Sequence, residues 1–236
     1  MATTTVAGCV LEILDCGDSA VRVGVTASSP GDAWRVAHGI AALLDADAPT
    51  GVLGTLPTYD AVLVEFDCLL TDHETTRRAV RGVLDRVDAL TPRRPRTFGI
   101  PVLYGGELGP DLDATASYLG LTPADVIAIH GAKPLLMRCF GAPAGAPMLD
   151  GPHFERPIPR LASPRPHVPA GAAAVAGRQA VVSARPAPGG WHVLGTTPVT
   201  LVDPSREPLS AYWPGDSFQF FAIEESQFDA HRGVLA

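Results

Sequence analysis

Residues 6–14 and 20–25 are apolar runs rich in β-branched side chains, separated by the turn signal Cys16-Gly17-Asp18-Ser19, and together they predict a hairpin. In 32–44 the period changes. Trp34, Ala37, Ile40, Ala41 and Leu44 recur at helical spacing until Asp45, Asp47 and Pro49 interrupt the run. A second strand pair is expected over 52–56 and 61–66, around Pro57-Thr58-Tyr59-Asp60. A longer helix over 72–90 follows, with Val80, Val83, Leu84 and Val87 on its inner face. The order β-β-α-β-β-α reads as a small α/β sandwich over residues 1–91.

Thr91-Pro92-Arg93-Arg94-Pro95-Arg96 joins proline to like charge without an apolar anchor, the composition of a semi-rigid linker, so a second domain is expected over 97–236. It opens with a strand near 98–103 and two short helices, 111–119 and 123–130, closed by Gly120 and Gly131. Thr122 is placed to cap the second, with Pro123 at its first position and Asp125 in its first turn. From Lys133 onward the pattern breaks into short apolar pieces between Gly and Pro clusters: 135–140, 172–175, 180–182, 192–194, 199–202 and 217–223. Such spacing reads as a β-barrel. The fold class expected is therefore α+β, a small N-terminal α/β sandwich followed by a barrel.

At 236 residues and 46% hydrophobic the chain can bury a substantial core, and its net charge of −7 argues against broad nucleic-acid binding. A small molecule or a protein is the expected partner. No apolar run has the length of a membrane span and the first residues lack a secretory pattern, so a cytoplasmic protein is expected. Cys9, Cys16, Cys68 and Cys139 show no metal or dithiol spacing and are expected to be buried free thiols, and no metal site is recognised. Arg77, Arg78, Arg81 and Arg86 read as a solvated helix face or a local docking patch.

The most constrained stretch is Ser163-Pro164-Arg165-Pro166-His167-Val168-Pro169-Ala170-Gly171, followed by Pro188-Gly189-Gly190-Trp191 and Gly195-Thr196-Thr197-Pro198. Alternating Pro and Gly dictates a chain path. Arg165 within it carries a permanent, planar fork of donors suited to a carboxylate or phosphoryl group. His167 either shares that anion or is an exposed histidine. Trp191 packs the barrel or floors a pocket, and Thr196 and Thr197 bond locally to backbone. His130 closes a helix, either as a charged partner of the helix dipole or as a general base. Glu107, after Tyr104-Gly105-Gly106, either activates water or caps a backbone nest.

The run Ile100-Pro101-Val102-Leu103-Tyr104-Gly105-Gly106-Glu107-Leu108-Gly109-Pro110-Asp111-Leu112 and the 163–198 stretch resemble one bacterial family. That family is the B subunit of 5-oxoprolinase, which includes histidine-kinase inhibitors of the KipI type and is also known as allophanate hydrolase subunit 1 or a part of a carboxyltransferase domain. The resemblance covers roughly 6–225. It implies a cyclophilin-like barrel in a protein that works with a homologous C subunit and with an A subunit, or by self-association, to open the lactam of 5-oxoproline with ATP. Gln179, after Gly177, matches the family glutamine, whose amide can both donate to and accept from a lactam. No Gly-rich phosphate cradle with its lysine accompanies the implied ATP, and Lys133 is the only lysine.

The chain also departs from the family. Where the family reads Gly-Phe-x-Pro-Gly-Phe-Pro-Tyr-Leu, this chain has Gly141-Ala142-Pro143-Ala144-Gly145-Ala146-Pro147-Met148-Leu149, and Ser183-Ala184 replaces the usual Tyr-Pro. Losing rings at Ala142, Ala146 and Met148 is expected to widen a pocket. Three functions follow as expectations: one component of an ATP-dependent amide hydrolase, a regulatory inhibitor of a histidine kinase, or a stand-alone enzyme for a larger amide or carboxylated metabolite. The assigned residues are Arg165, His167, Trp191, Met148 and Ala146 for binding, with His130, Glu107 and Gln179 for catalysis.

Overall fold

The computed structural model describes residues 3–141 and 145–236, and every element and contact below lies among those residues. The chain forms two compact units, Met1–Arg93 and Arg94–Ala236.

In the first unit, β1 (Thr3–Val6), β2 (Cys9–Cys16), β3 (Ala20–Thr26), β4 (Val52–Pro57) and β5 (Ala61–Phe66) form an antiparallel sheet ordered β1-β2-β3-β5-β4. The expected single strand over 6–14 is instead two. Ala7 and Gly8 take φ of +53° and +74°, and Val6 pairs directly with Cys9, which makes a two-residue hairpin loop. Positive φ at both loop positions matches the strand twist. An alanine in that place carries no turn signal, which is why the sequence pattern conceals it.

Helix α1 (Pro30–Asp47) begins where the Ser29 hydroxyl accepts from the Asp32 backbone N–H at 3.1 Å. Its Val36, Ile40 and Leu44 join a core with sheet residues Leu11, Val23 and Val64. Helix α2 (His73–Val83) is capped by Asp72 and tightens into a 3-10 turn over Leu84–Ala89, so the single helix expected over 72–90 has two geometries. Val80, Val83, Leu84 and Val87 are all buried, as their spacing predicts.

The second unit opens with β6 (Thr97–Tyr104), α3 (Leu112–Leu119) and α4 (Pro123–His130), the last capped by Thr122 as expected, with Asp125 reaching back to complete a capping box. Then come β7 (Leu135–Gly141), β8 (Ala146–Asp150), β9 (Arg165–Val168), β10 (Ala172–Ala176), β11 (Gln179–Val182), β12 (Ala187–Gly189), β13 (His192–Thr196), β14 (Val199–Thr200), β15 (Ser217–Ala222) and β16 (Gly233–Val234). The closed barrel runs β10-β11-β8-β7-β15-β6-β13, and β13 pairs back to β10. The barrel expected from the spacing is present. Strands β9 and β12 lie outside it as a ribbon, and β14 pairs with β16.

The ribbon has a packing reason. Every residue of β10 is buried, and its two faces serve different clusters: Ala173 and Val175 point to the barrel core with Ile100, Leu149 and Phe220, whereas Ala172 and Ala174 pack with Val168 and Val193. The β9–β12 ribbon therefore roofs the outer face of β10. Strands β8, β9 and β12 escape sequence reading because each contains a proline, Pro147, Pro166 or Pro188, which removes a ladder donor and argues against a strand.

At Gly195, where β13 meets β6, an added Cβ would lie 2.5 Å from the Leu103 carbonyl oxygen and 2.6 Å from Val102 Cγ1. Gly195→Ala is expected to push the seam apart and cost about 1–3 kcal/mol. A urea titration of the variant, followed by circular dichroism, measures this as a lowered midpoint.

Candidate functional site

Arg165 opens β9 between Pro164 and Pro166, so its backbone is extended and its guanidinium has a fixed origin. Nη1 donates to Asp111 Oδ2 at 2.8 Å and Nη2 to Asp111 Oδ1 at 2.7 Å. Asp111 also accepts the Val193 backbone N–H at 2.8 Å, and its own N–H donates to the Val193 carbonyl at 3.1 Å. Asp111 is 6% exposed, and the hydrogen bonds of its carboxylate raise the Arg165 pKa above the usual arginine value. The fork expected to orient a ligand anion is thus filled by the protein itself. It ties the ribbon, the start of α3 and β13 together. His167, two residues along β9, is exposed.

A cleft of about 470 Å³ opens beside this clamp. One wall is the 157–160 segment, fixed at Ile158 by paired backbone bonds with Gly177 of 2.9 and 2.6 Å, and beyond its end by Leu161 N–H to the Gly190 carbonyl at 2.8 Å. Ala176 and Gly177, adjacent to that segment, line the cleft with Gln179, Trp191 and Tyr118. Tyr118 is stiffened twice. Its hydroxyl donates to the Pro157 carbonyl at 3.1 Å, and the Arg156 guanidinium sits 4.1 Å from its ring centroid. No described residue hydrogen-bonds the Gln179 side-chain amide or pairs with the Arg160 guanidinium.

Of the residues expected to form the site, Gln179 and Trp191 meet in this cleft. His130 does not. It is fully buried, with Nδ1 2.6 Å from the Tyr104 hydroxyl and its ring 4.3 Å from that of Phe220. Burial pulls its pKa down to about 3 and pushes the Tyr104 phenol up, so the pair is neutral, and Nε2 has no partner among the described residues. Both the charged helix-end role and the general base at a barrel mouth give way to a neutral core histidine. Glu107 is exposed on a 3-10 turn over Gly106–Leu108.

The motif expected to widen a pocket lies elsewhere. Ala146 is buried in β8, and Met148, on the same strand, lies over Gly141, where an added Cβ would come within 2.6 Å of Met148 Cγ. Ala142, Pro143 and Ala144 lie outside the described residues. Thr197 accepts from the Val199 N–H at 3.3 Å, the local bonding expected of it, whereas Thr196 donates to the distant Leu108 carbonyl at 2.9 Å, against that expectation. Cys9 and Cys139 are buried free thiols, whereas Cys16 and Cys68 are exposed, against the expectation that all four are buried.

The donor set does not fit a nucleotide. Its one guanidinium, from Arg160, comes with no lysine and no glycine-rich phosphate nest preceding a helix. Asp111, Tyr118 and Arg160 were the residues missed. Arg160 did carry a signal, because Pro159 precedes it as Pro164 precedes Arg165.

Residues 11–212 match the family model described as carboxyltransferase domain, subdomain C and D. The chain is 30% identical over 231 residues to the B subunit of 5-oxoprolinase from Bacillus subtilis (strain 168), covering 94% of this chain and 96% of that protein. Among solved structures it resembles TTHA0988, with a TM-score of 0.74 and 33% identity over 88% of this chain, yet it spans only 40% of that longer chain. The Kluyveromyces lactis urea amidolyase shares the fold at a TM-score of 0.74 and 13% identity, over 98% of this chain and 16% of that one.

Arg165→Met is expected to strand the Asp111 carboxylate and to destabilise the second unit by on the order of 3 kcal/mol, read from the chemical denaturation midpoint. A second expectation concerns pH. The His130 ring takes up a proton near the usual histidine value in the unfolded chain but, when folded, only near pH 3, so its contribution to stability is whole at neutral pH and is lost as the pH falls from about 6.5 towards 3. The slope from this one group approaches about 1.4 kcal/mol per pH unit, and denaturation midpoints at pH 7 and pH 5 should converge in His130→Leu relative to the parent.

Proposed function

The chain belongs to the family of the carboxyltransferase domain, subdomains C and D, and we propose that it is a cytoplasmic component of a 5-oxoprolinase-type system that opens a lactam or related amide together with partner subunits. The observation that carries this reading is the match to the B subunit of 5-oxoprolinase along nearly the whole of both chains. The cleft supports it. Gln179 offers an amide that both donates and accepts, the pairing a lactam N–H and carbonyl require, and Trp191 offers a ring face on which the substrate can lie.

The division of labour follows from chemistry. Because the cleft offers one guanidinium and no lysine, ATP falls on this reading to the partner subunits and substrate recognition to this chain. Arg165 then acts through Asp111, keeping β13 and α3 in register so that Trp191 and Tyr118 hold their places on the cleft wall. His130 and Glu107 have no part in the recognition step.

The test is co-expression with homologues of the A and C subunits. A complex that contains this chain and opens 5-oxoproline only with ATP is the expected result, and Gln179→Ala should lower turnover about ten- to hundredfold without dispersing the complex. Failure of the chain to join any complex, or a complex without ATP-dependent turnover, removes the assignment.

A further inference from the structure

The cleft presents more than one kind of surface. Arg160 stands at its rim, exposed, with no acid or carbonyl among the described residues engaging its guanidinium. Its backbone is not loose, because the Ile158–Gly177 bonds precede it and the Leu161–Gly190 bond follows it. Arg156 and Arg178 flank the same segment, Arg178 leaning over the Phe154 carbonyl at 3.4 Å, with Glu155 the neighbouring acid. In a chain of net charge −7, three arginines against one glutamate make a local positive field at the mouth of a cavity.

Much of the rest of the lining is apolar and rigid. Trp191 and Tyr118 give ring surface, and Pro157 and Pro159 give surface with little rotamer freedom to lose on binding. Gln179 shares the lining, its side-chain amide without a partner among the described residues. The groove is open to solvent, and its volume of about 470 Å³ exceeds what one small lactam ring fills.

We propose that this cleft binds a carboxylic acid bearing a bulky apolar substituent on an amide, of the N-acyl amino acid type. Arg160 grips the carboxylate, Gln179 reads the amide, and Trp191 and the two prolines cover the apolar part. This deepens the reading above by naming the ligand class of the same cleft. It rests on that reading only in taking Gln179 as the amide reader.

Calorimetric titration of the full chain, without partners or ATP, tests the proposal with N-acetylphenylalanine, its uncharged counterpart N-acetylphenylalaninamide, and 5-oxoproline. N-acetylphenylalanine is expected to bind best. Arg160→Ala should weaken it about tenfold, to the level of the uncharged amide, and Trp191→Ala should weaken both phenylalanine probes together. The same melting temperature in Arg160→Ala as in the parent shows that its fold is intact. Equal binding of acid and neutral amide, unchanged affinity in Arg160→Ala, 5-oxoproline binding as tightly as N-acetylphenylalanine, or no binding of any probe overturns it. A complex inactive on 5-oxoproline but with these affinities intact sinks the earlier assignment and leaves this one standing.

Discussion

The second unit depends on one buried carboxylate. Asp111 receives two donors from Arg165 and one from the Val193 backbone, and so joins three segments far apart in sequence. A carboxylate sequestered from water is costly unless its lone pairs are satisfied, and here three hydrogen bonds, two of them charge-assisted and parallel, meet that need. Because the fork is planar and bidentate, it fixes direction as well as distance. The ribbon cannot slide along β10 without breaking it.

From that constraint the cleft follows. The ribbon roofs Ala172 and Ala174, and the chain before it, residues 151–164, must pass across the barrel end to reach Arg165. Prolines at 157 and 159 keep that passage out of the sheet by withholding backbone donors, and two short sets of bonds pin it at Gly177 and Gly190. The pinned segment, the neighbouring residues 176–179, Trp191 and Tyr118 line an open trough. Its rigidity is built from covalent rings and backbone bonds, so little order has to be gained when a ligand enters.

Much of this was legible in the sequence. The helices of the first unit announced themselves through Ile40, Leu44, Val80 and Val83, because one apolar face against one sheet forces a 3.6-residue period. The barrel was readable from short apolar pieces and turn residues. The Ala7–Gly8 loop was not, since its left-handed backbone is imposed by strand twist and not by the residue type. The partner of Arg165 was hidden for a different reason: 54 positions separate the two, and no local pattern reports so distant a contact. That Gln179 and Trp191 line one cleft is a meeting of separate segments that no local pattern reports, and His130 was read by its position at a helix end and not by the aromatic packing that keeps it neutral.

Strand β15 occupies a telling place in the barrel. It runs parallel to β6 and sits between β6 and β7, although more than a hundred residues separate Phe98 from its partner Phe218. While the polypeptide emerges from the ribosome, β6 and β7 therefore each keep one flank open until residues 217–222 have been made. Until β15 has been made, a nascent chain carries two naked sheet margins, and an unpaired margin is a place where another chain can add itself.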